Sequence, residues 1–183
     1  MLRKFAHFIS LIFHPLLILT YSLIMLLMVN PYMFGVNNVM DQSGLILIVF
    51  LSTFFLPGVA VLIMWALKLV DSLELKTQNE RIGPYILTGV FYLWMVVNFK
   101  DNPNIPTAFT IFVLGATIGL FAAFFINIFL KISTHTVGMG GLIGMVMTTM
   151  ALFSYGSFTL SMGGLGAIEV SVNMLFMFVL ILS

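Results

Sequence analysis

Cysteine is absent from this 183-residue chain, and Asp, Glu, Lys and Arg together make up only 7% of it. Without Cys there are no disulfides and no thiolate metal sites. The scarcity of charge excludes an ordinary soluble domain, in which about 25% of residues are charged. A net charge of +1 leaves no basic footprint for nucleic acid. Paired Asp-rich metal motifs of the prenyltransferase kind are missing too, so the expected metal set is none and the expected cofactor set is none.

What is present is apolar. Hydrophobic residues make up 61% of the chain, with 19 Phe and 14 Met. A soluble fold of this size leaves roughly 30% of its unfolded surface wet and cannot hide that much apolar area. The solvent is therefore lipid. The apolar runs are continuous rather than alternating, which favours helices over a barrel. The expected fold class is all-α, a single integral membrane domain over 1–183 with about six spans. They are placed at about 7–29, 44–70, 84–99, 106–130, 131–155 and 167–183. Arg3 and Lys4 precede a first run too long for a signal-peptide core, so that run is read as a retained span. Pro57-Gly58 predicts a kink in the second.

Lys and Arg in the loops set the orientation. With a cytoplasmic N-terminus, Arg3, Lys4, Lys68, Lys76, Arg81 and Lys131 fall on the cytoplasmic side and Lys100 alone on the other. The expected location is a bacterial inner membrane. Residues 71–83 and 131–135 share one face in either orientation, because two spans separate them. The last run reaches Ser183 with no positive charge marking a membrane exit, so a truncated chain is one expectation and a chain without catalysis the other.

Two polar clusters stand out against this background. Lys76 and Arg81 lie in the most polar stretch, DSLELKTQNER, just before Pro84. Proline favours the first helical position, which predicts a helix starting at Pro84 with Arg81 at its anion-attracting N-terminus. Asp71, Glu74 and Glu80 offset the basic residues of that loop. The second cluster is Lys131, Ser133 and His135. Lys131 and His135 share a helical face, Ser133 is placed to cap the helix or to bind a phosphate oxygen, and His135 sits where an imidazole can protonate a leaving oxygen. His7 and His14 have no carboxylate within helical reach and are read as packing residues. Glu169 is read as interfacial. The small-residue pairs Gly115/Gly119 and Gly140/Gly144 are read as helix-packing faces.

Lys76, Arg81 and Pro84, followed two spans later by Lys131-Ile132-Ser133-Thr134-His135, resemble the first two motifs of the type 2 phosphatidic acid phosphatases. That family comprises six-span helical proteins that remove phosphate from membrane lipids without a metal. The resemblance implies phosphate binding by Lys76, Arg81 and Ser133, with Lys131 beside them, and a general-acid role for His135. The sequence departs from the family pattern in three ways. Two residues separate Arg81 from Pro84, Thr134 stands in place of a glycine, and no His, Arg or Asp follows His135 to supply the third motif's nucleophile.

Two functions are therefore expected. One is a lipid-phosphate phosphatase-like protein that binds a phosphorylated lipid head group, hydrolytic if a third motif follows residue 183. The other is a non-catalytic membrane subunit or scaffold that meets protein partners through its Gly-rich faces. A transporter is a weaker third choice, because no internal repeat is visible.

Overall fold

The computed structural model describes residues 14–73, 75, 77–130, 132–153, 157–161, 167–171 and 177. For 134, 135, 149–153, 157–161 and 167–170 it describes the backbone alone. Among the described residues six α-helices follow one another: α1 (Ile18–Val29), α2 (Ser43–Phe50), α3 (Leu56–Ala66), α4 (Gln78–Phe99), α5 (Thr107–Phe129) and α6 (Thr134–Phe153). A hairpin of two antiparallel strands, β1 (Ser157–Ser161) and β2 (Ala167–Ser171), follows α6.

The fold is predominantly helical. Three of its helical runs, Pro31–Ala66, Gln78–Phe99 and Thr107–Phe129, are long and apolar enough to cross a membrane. Pro15–Val29 and Thr136–Thr148 are shorter apolar helices. The hairpin departs from the all-α expectation. Ala167–Ser171, expected to open a sixth span, is extended, with Glu169 opposite Thr159. Alternation of apolar and polar residues in AIEVS has the period of a strand, not of a helix. Most of the rest of that expected span, 172–176 and 178–183, lies outside the described residues, as do His7 and the rest of the chain before residue 14.

The helices are apolar on both sides, as lipid-facing helices are. In α4, Tyr85, Tyr92, Met95 and Phe99 are buried against the bundle, while Ile86, Val90, Leu93, Trp94 and Val97 are exposed. Exposed Trp65 and Tyr32 mark opposite ends of the Pro31–Ala66 run, where amphipathic rings suit a membrane–water boundary.

The main core fills one end. Leu19, Leu23, Leu26 and Leu27 of α1 pack with Leu45, Val49, Met95, Phe99, Phe109 and Val113. Phe34 and Ile105, from the two loops at that end, complete the cluster. The loop after α1 is ordered by its own side chains: Asn30 Oδ1 accepts from Met33 N–H at 3.2 Å, and Gln42 Nε2 donates to the Phe34 carbonyl at 3.2 Å. At the start of the fold, His14 Nδ1 accepts from Leu16 N–H at 3.3 Å, and its ring meets Phe54 edge-on at 5.8 Å.

The expected break near Pro57 takes the form of a π-helical turn, Leu51–Phe55, joining α2 to α3. Pro57 has no N–H for the Thr53 carbonyl, and widening the preceding turn accommodates that loss. Thr53 is fully buried there, and its hydroxyl lies 3.3 Å from that of Thr20 on α1.

Helix α3 ends in a Schellman turn. Lys68 N–H donates to the Trp65 carbonyl at 3.0 Å, and Leu69 N–H to Met64 at 2.9 Å. This places Lys68 at φ 57°, a left-handed conformation usually given to glycine. Lys68→Gly is expected to raise stability by about 0.5–1 kcal/mol, since relief of the backbone cost exceeds the lost cation–helix interaction. Thermal unfolding in detergent checks this, and a fall in the midpoint would contradict it.

Candidate functional site

At the end of the bundle away from the main core, the chain gathers the loop 67–77, the first turns of α4, the last turns of α5 and the linker into α6. Helix α4 begins earlier than expected. Thr77 is its N-cap: Thr77 Oγ1 accepts from Glu80 N–H at 3.3 Å, and Glu80 Oε2 accepts from Thr77 N–H at 2.8 Å. This reciprocal box sets the helix start at Gln78 and leaves Pro84 inside the helix. Arg81 is therefore in the first turn of α4, not ahead of its N-terminus. The Thr-x-x-Glu spacing was the signal in the sequence, and it outweighs the preference of Pro84 for a first position.

Glu80 organises the loop as well. Its Oε1 accepts from the Asp71 N–H at 3.1 Å. Among the described residues no carboxylate pairs with Arg81, whose partners are carbonyls. Arg81 Nε donates to Leu75 O at 2.9 Å, and Nη1 donates to Ile132 O at 2.8 Å. Leu75 has φ 49°, a left-handed conformation that is uncommon for a bulky residue. It aims a backbone carbonyl at the guanidinium, so local backbone strain accompanies this contact.

One side chain thus ties the loop, α4 and the α6 linker together across 51 residues of sequence. The segments expected to share a membrane face are joined directly. Arg81 has five N–H donors, and two serve these carbonyls, so three remain for an incoming acceptor.

Ser133 caps α6, with its Oγ accepting from Thr136 N–H at 3.4 Å. It is exposed and adjoins Ile132, whose carbonyl Arg81 holds. His135 is in the first turn of α6 by its backbone, and its side chain lies outside the described residues. Lys76 and Lys131 lie outside them entirely. The structure therefore brings Arg81 to the segment carrying Ser133 and describes no side-chain contact for the other three.

Two residues that the sequence reading passed over belong to this end of the bundle. Asn127, fully buried on α5, donates from Nδ2 to the Gln78 carbonyl at 3.2 Å. Tyr85 is one turn beyond Arg81 on α4 and close enough to feel its charge, with its ring 6.2 Å from that of Phe124. Asn127 is the one amide in the apolar run of α5, and a polar side chain inside a span is the signal that could have found it.

Close packing at glycine brackets the region. A Cβ on Gly83 would collide with the Met64 side chain, one on Gly89 would come within 2.8 Å of Phe121, and one on Gly138 within 2.5 Å of Ile18. The expected packing pairs Gly115/Gly119 and Gly140/Gly144 have nothing within 4 Å of their would-be Cβ positions. Among the described residues they mediate no helix packing. Among the described residues no group of three His, Asp or Glu is placed to hold a metal. No family model, curated protein or solved structure matches the chain.

Proposed function

We propose that this is an integral membrane protein that binds a phosphorylated lipid head group at the Arg81 end of the bundle. The carrying observation is the position of Arg81, which joins the two polar segments and keeps donors in reserve with no described carboxylate against it. In this reading α1, α2–α3, α4, α5 and α6 each cross the membrane and this end faces the cytoplasm at head-group depth, an orientation that the Lys/Arg asymmetry of the loops supports. Lys76 and Lys131 add cationic field there, Ser133 offers a hydroxyl beside Ile132, and His135, two residues further on, is a proton donor to a phosphate oxygen.

The resemblance to type 2 phosphatidic acid phosphatases rests on the same residues. No His, Arg or Asp after His135 can be assigned the nucleophilic role, so the proposal stops at binding and includes no hydrolytic step.

The test is thermal unfolding in a neutral detergent with added phosphatidic acid or phosphatidylcholine. A ligand that binds only the folded state stabilises it by about 2.7 kcal/mol at a hundred times its dissociation constant, which for a chain of this size raises the midpoint by several degrees. Phosphatidic acid is expected to do so and phosphatidylcholine to have little effect. Equal shifts from both lipids would refute the proposal.

A further inference from the structure

Three side-chain atoms are buried with no hydrogen-bond partner among the described residues: Ser72 Oγ, Tyr85 OH and Asn127 Oδ1. All three belong to the Arg81 end of the bundle. By contrast the buried hydroxyls of Thr88 and Thr117 donate to the Pro84 and Val113 carbonyls of their own helices, both at 2.7 Å, and those of Thr20 and Thr53 lie 3.3 Å from each other. Orphaned polar atoms in a folded chain call for an explanation, and their concentration at one end makes it a local one.

The geometry relates two of them closely. Gln78, Arg81 and Tyr85 recur at helical spacing along one face of α4. That face meets α5 through the Asn127–Gln78 bond and the Tyr85–Phe124 ring contact. Side chains on a helix lean towards its N-terminus, which carries the Tyr85 hydroxyl back towards Arg81. The Asn127 amide has a defined orientation, because its NH2 faces the Gln78 carbonyl and leaves Oδ1 as the open atom. Tyr85 is 6% exposed and Asn127 0%.

We infer that the Tyr85 hydroxyl and Asn127 Oδ1 receive the neutral, hydroxyl-bearing part of an anionic phospholipid head group, with Arg81 on the phosphate. The inference rests on the binding reading above and narrows its ligand class. Phosphate oxygens are acceptors and suit the Arg81 N–H groups and the Tyr85 hydroxyl. Asn127 Oδ1 is an acceptor only, so it needs a donor from the ligand, and a bare phosphate dianion has none. The Arg81 guanidinium at this end of the bundle disfavours an ammonium donor and leaves a hydroxyl.

The experiment compares phosphatidylglycerol, phosphatidic acid and phosphatidylcholine by thermal stabilisation of the whole chain in neutral detergent, for wild type, Tyr85→Phe and Asn127→Leu. Wild type is expected to favour phosphatidylglycerol over phosphatidic acid by about tenfold in affinity, the scale of one added hydrogen bond. Both variants are expected to bring that ratio close to one. Tyr85→Phe removes a hydroxyl that has no described protein partner, so without lipid it is expected to unfold at or above the wild-type temperature. This keeps the test valid if Asn127→Leu fails to fold. Equal affinity for the two anionic lipids in wild type, or an unchanged ratio in Tyr85→Phe, overturns this role of Tyr85 and Asn127 while leaving head-group binding intact. No preference of either anionic lipid over phosphatidylcholine overturns the binding reading itself.

Discussion

Replacing Arg81 with Gln is expected to reduce affinity for phosphatidic acid by about tenfold to a hundredfold, the range of one charge-assisted hydrogen bond. The same change leaves the carbonyls of Leu75 and Ile132 without their donors. Both are part-buried, and Leu75 holds an unfavourable backbone angle, so stability is expected to fall by about 1.5–3 kcal/mol as well. Arg81→Lys separates the two effects. Lysine keeps the charge but is a compact cation that lacks the planar fork, and it cannot hold two carbonyls and a phosphate in the arginine geometry. It is expected to restore part of the binding and little of the stability. Lipid titration and thermal unfolding of the three proteins check this. Unchanged lipid affinity in Arg81→Gln would remove Arg81 from the site and leave it a structural tie.

Phe109→Ala is expected to produce the largest loss of stability, about 3–5 kcal/mol. Phe109 is fully buried where the loops after α1 and α4 close over the core. Its ring lies 6.3 Å from that of Phe34 and 6.2 Å from that of Phe99. In a bilayer, helices are not driven together by apolar burial, because lipid tails are as apolar as side chains. Packing contacts carry the association instead, and a void the size of a phenyl group forfeits them. Ile111, two residues along α5 and 61% exposed, is the control, and Ile111→Ala should change stability by no more than about 0.5 kcal/mol. Denaturant titration in mixed micelles measures both. Equal effects of the two substitutions would mean that the cluster around Phe34, Phe99 and Phe109 is not the core.

The long helices were legible because their apolar runs are long and unbroken, and α4 and α5 overlap the apolar runs 84–99 and 106–130. The meeting of the two polar segments at one end of the bundle was legible as well, since two long apolar helices, an even number, separate them. Boundaries were harder. At Pro84 two local preferences compete, and Thr77 with Glu80 prevails because a capping box satisfies two helix-end donors whereas proline merely lacks one. The 167–171 segment is extended because, in so short an apolar stretch, alternation matters more than overall hydrophobicity. Tyr85 and Asn127 were illegible as site residues for a different reason. Nothing in composition says that a tyrosine hydroxyl or an amide oxygen will be buried without a partner, and that emerges only when α4 packs on α5. The roles of Arg81 as a tie and Leu75 as its acceptor are likewise products of the tertiary arrangement.

The central claim is that residues 71–83 and 130–136, far apart in sequence, form one head-group site. The most direct measurement is photolabelling in native-like vesicles with a phosphatidic acid carrying a photoreactive group beside its glycerol backbone, followed by peptide mapping. Label is expected on both segments, suppressed at both by excess unlabelled phosphatidic acid and not by phosphatidylcholine. Label confined to the exposed apolar faces of α3, α4 and α5, or insensitive to competition, would contradict that claim.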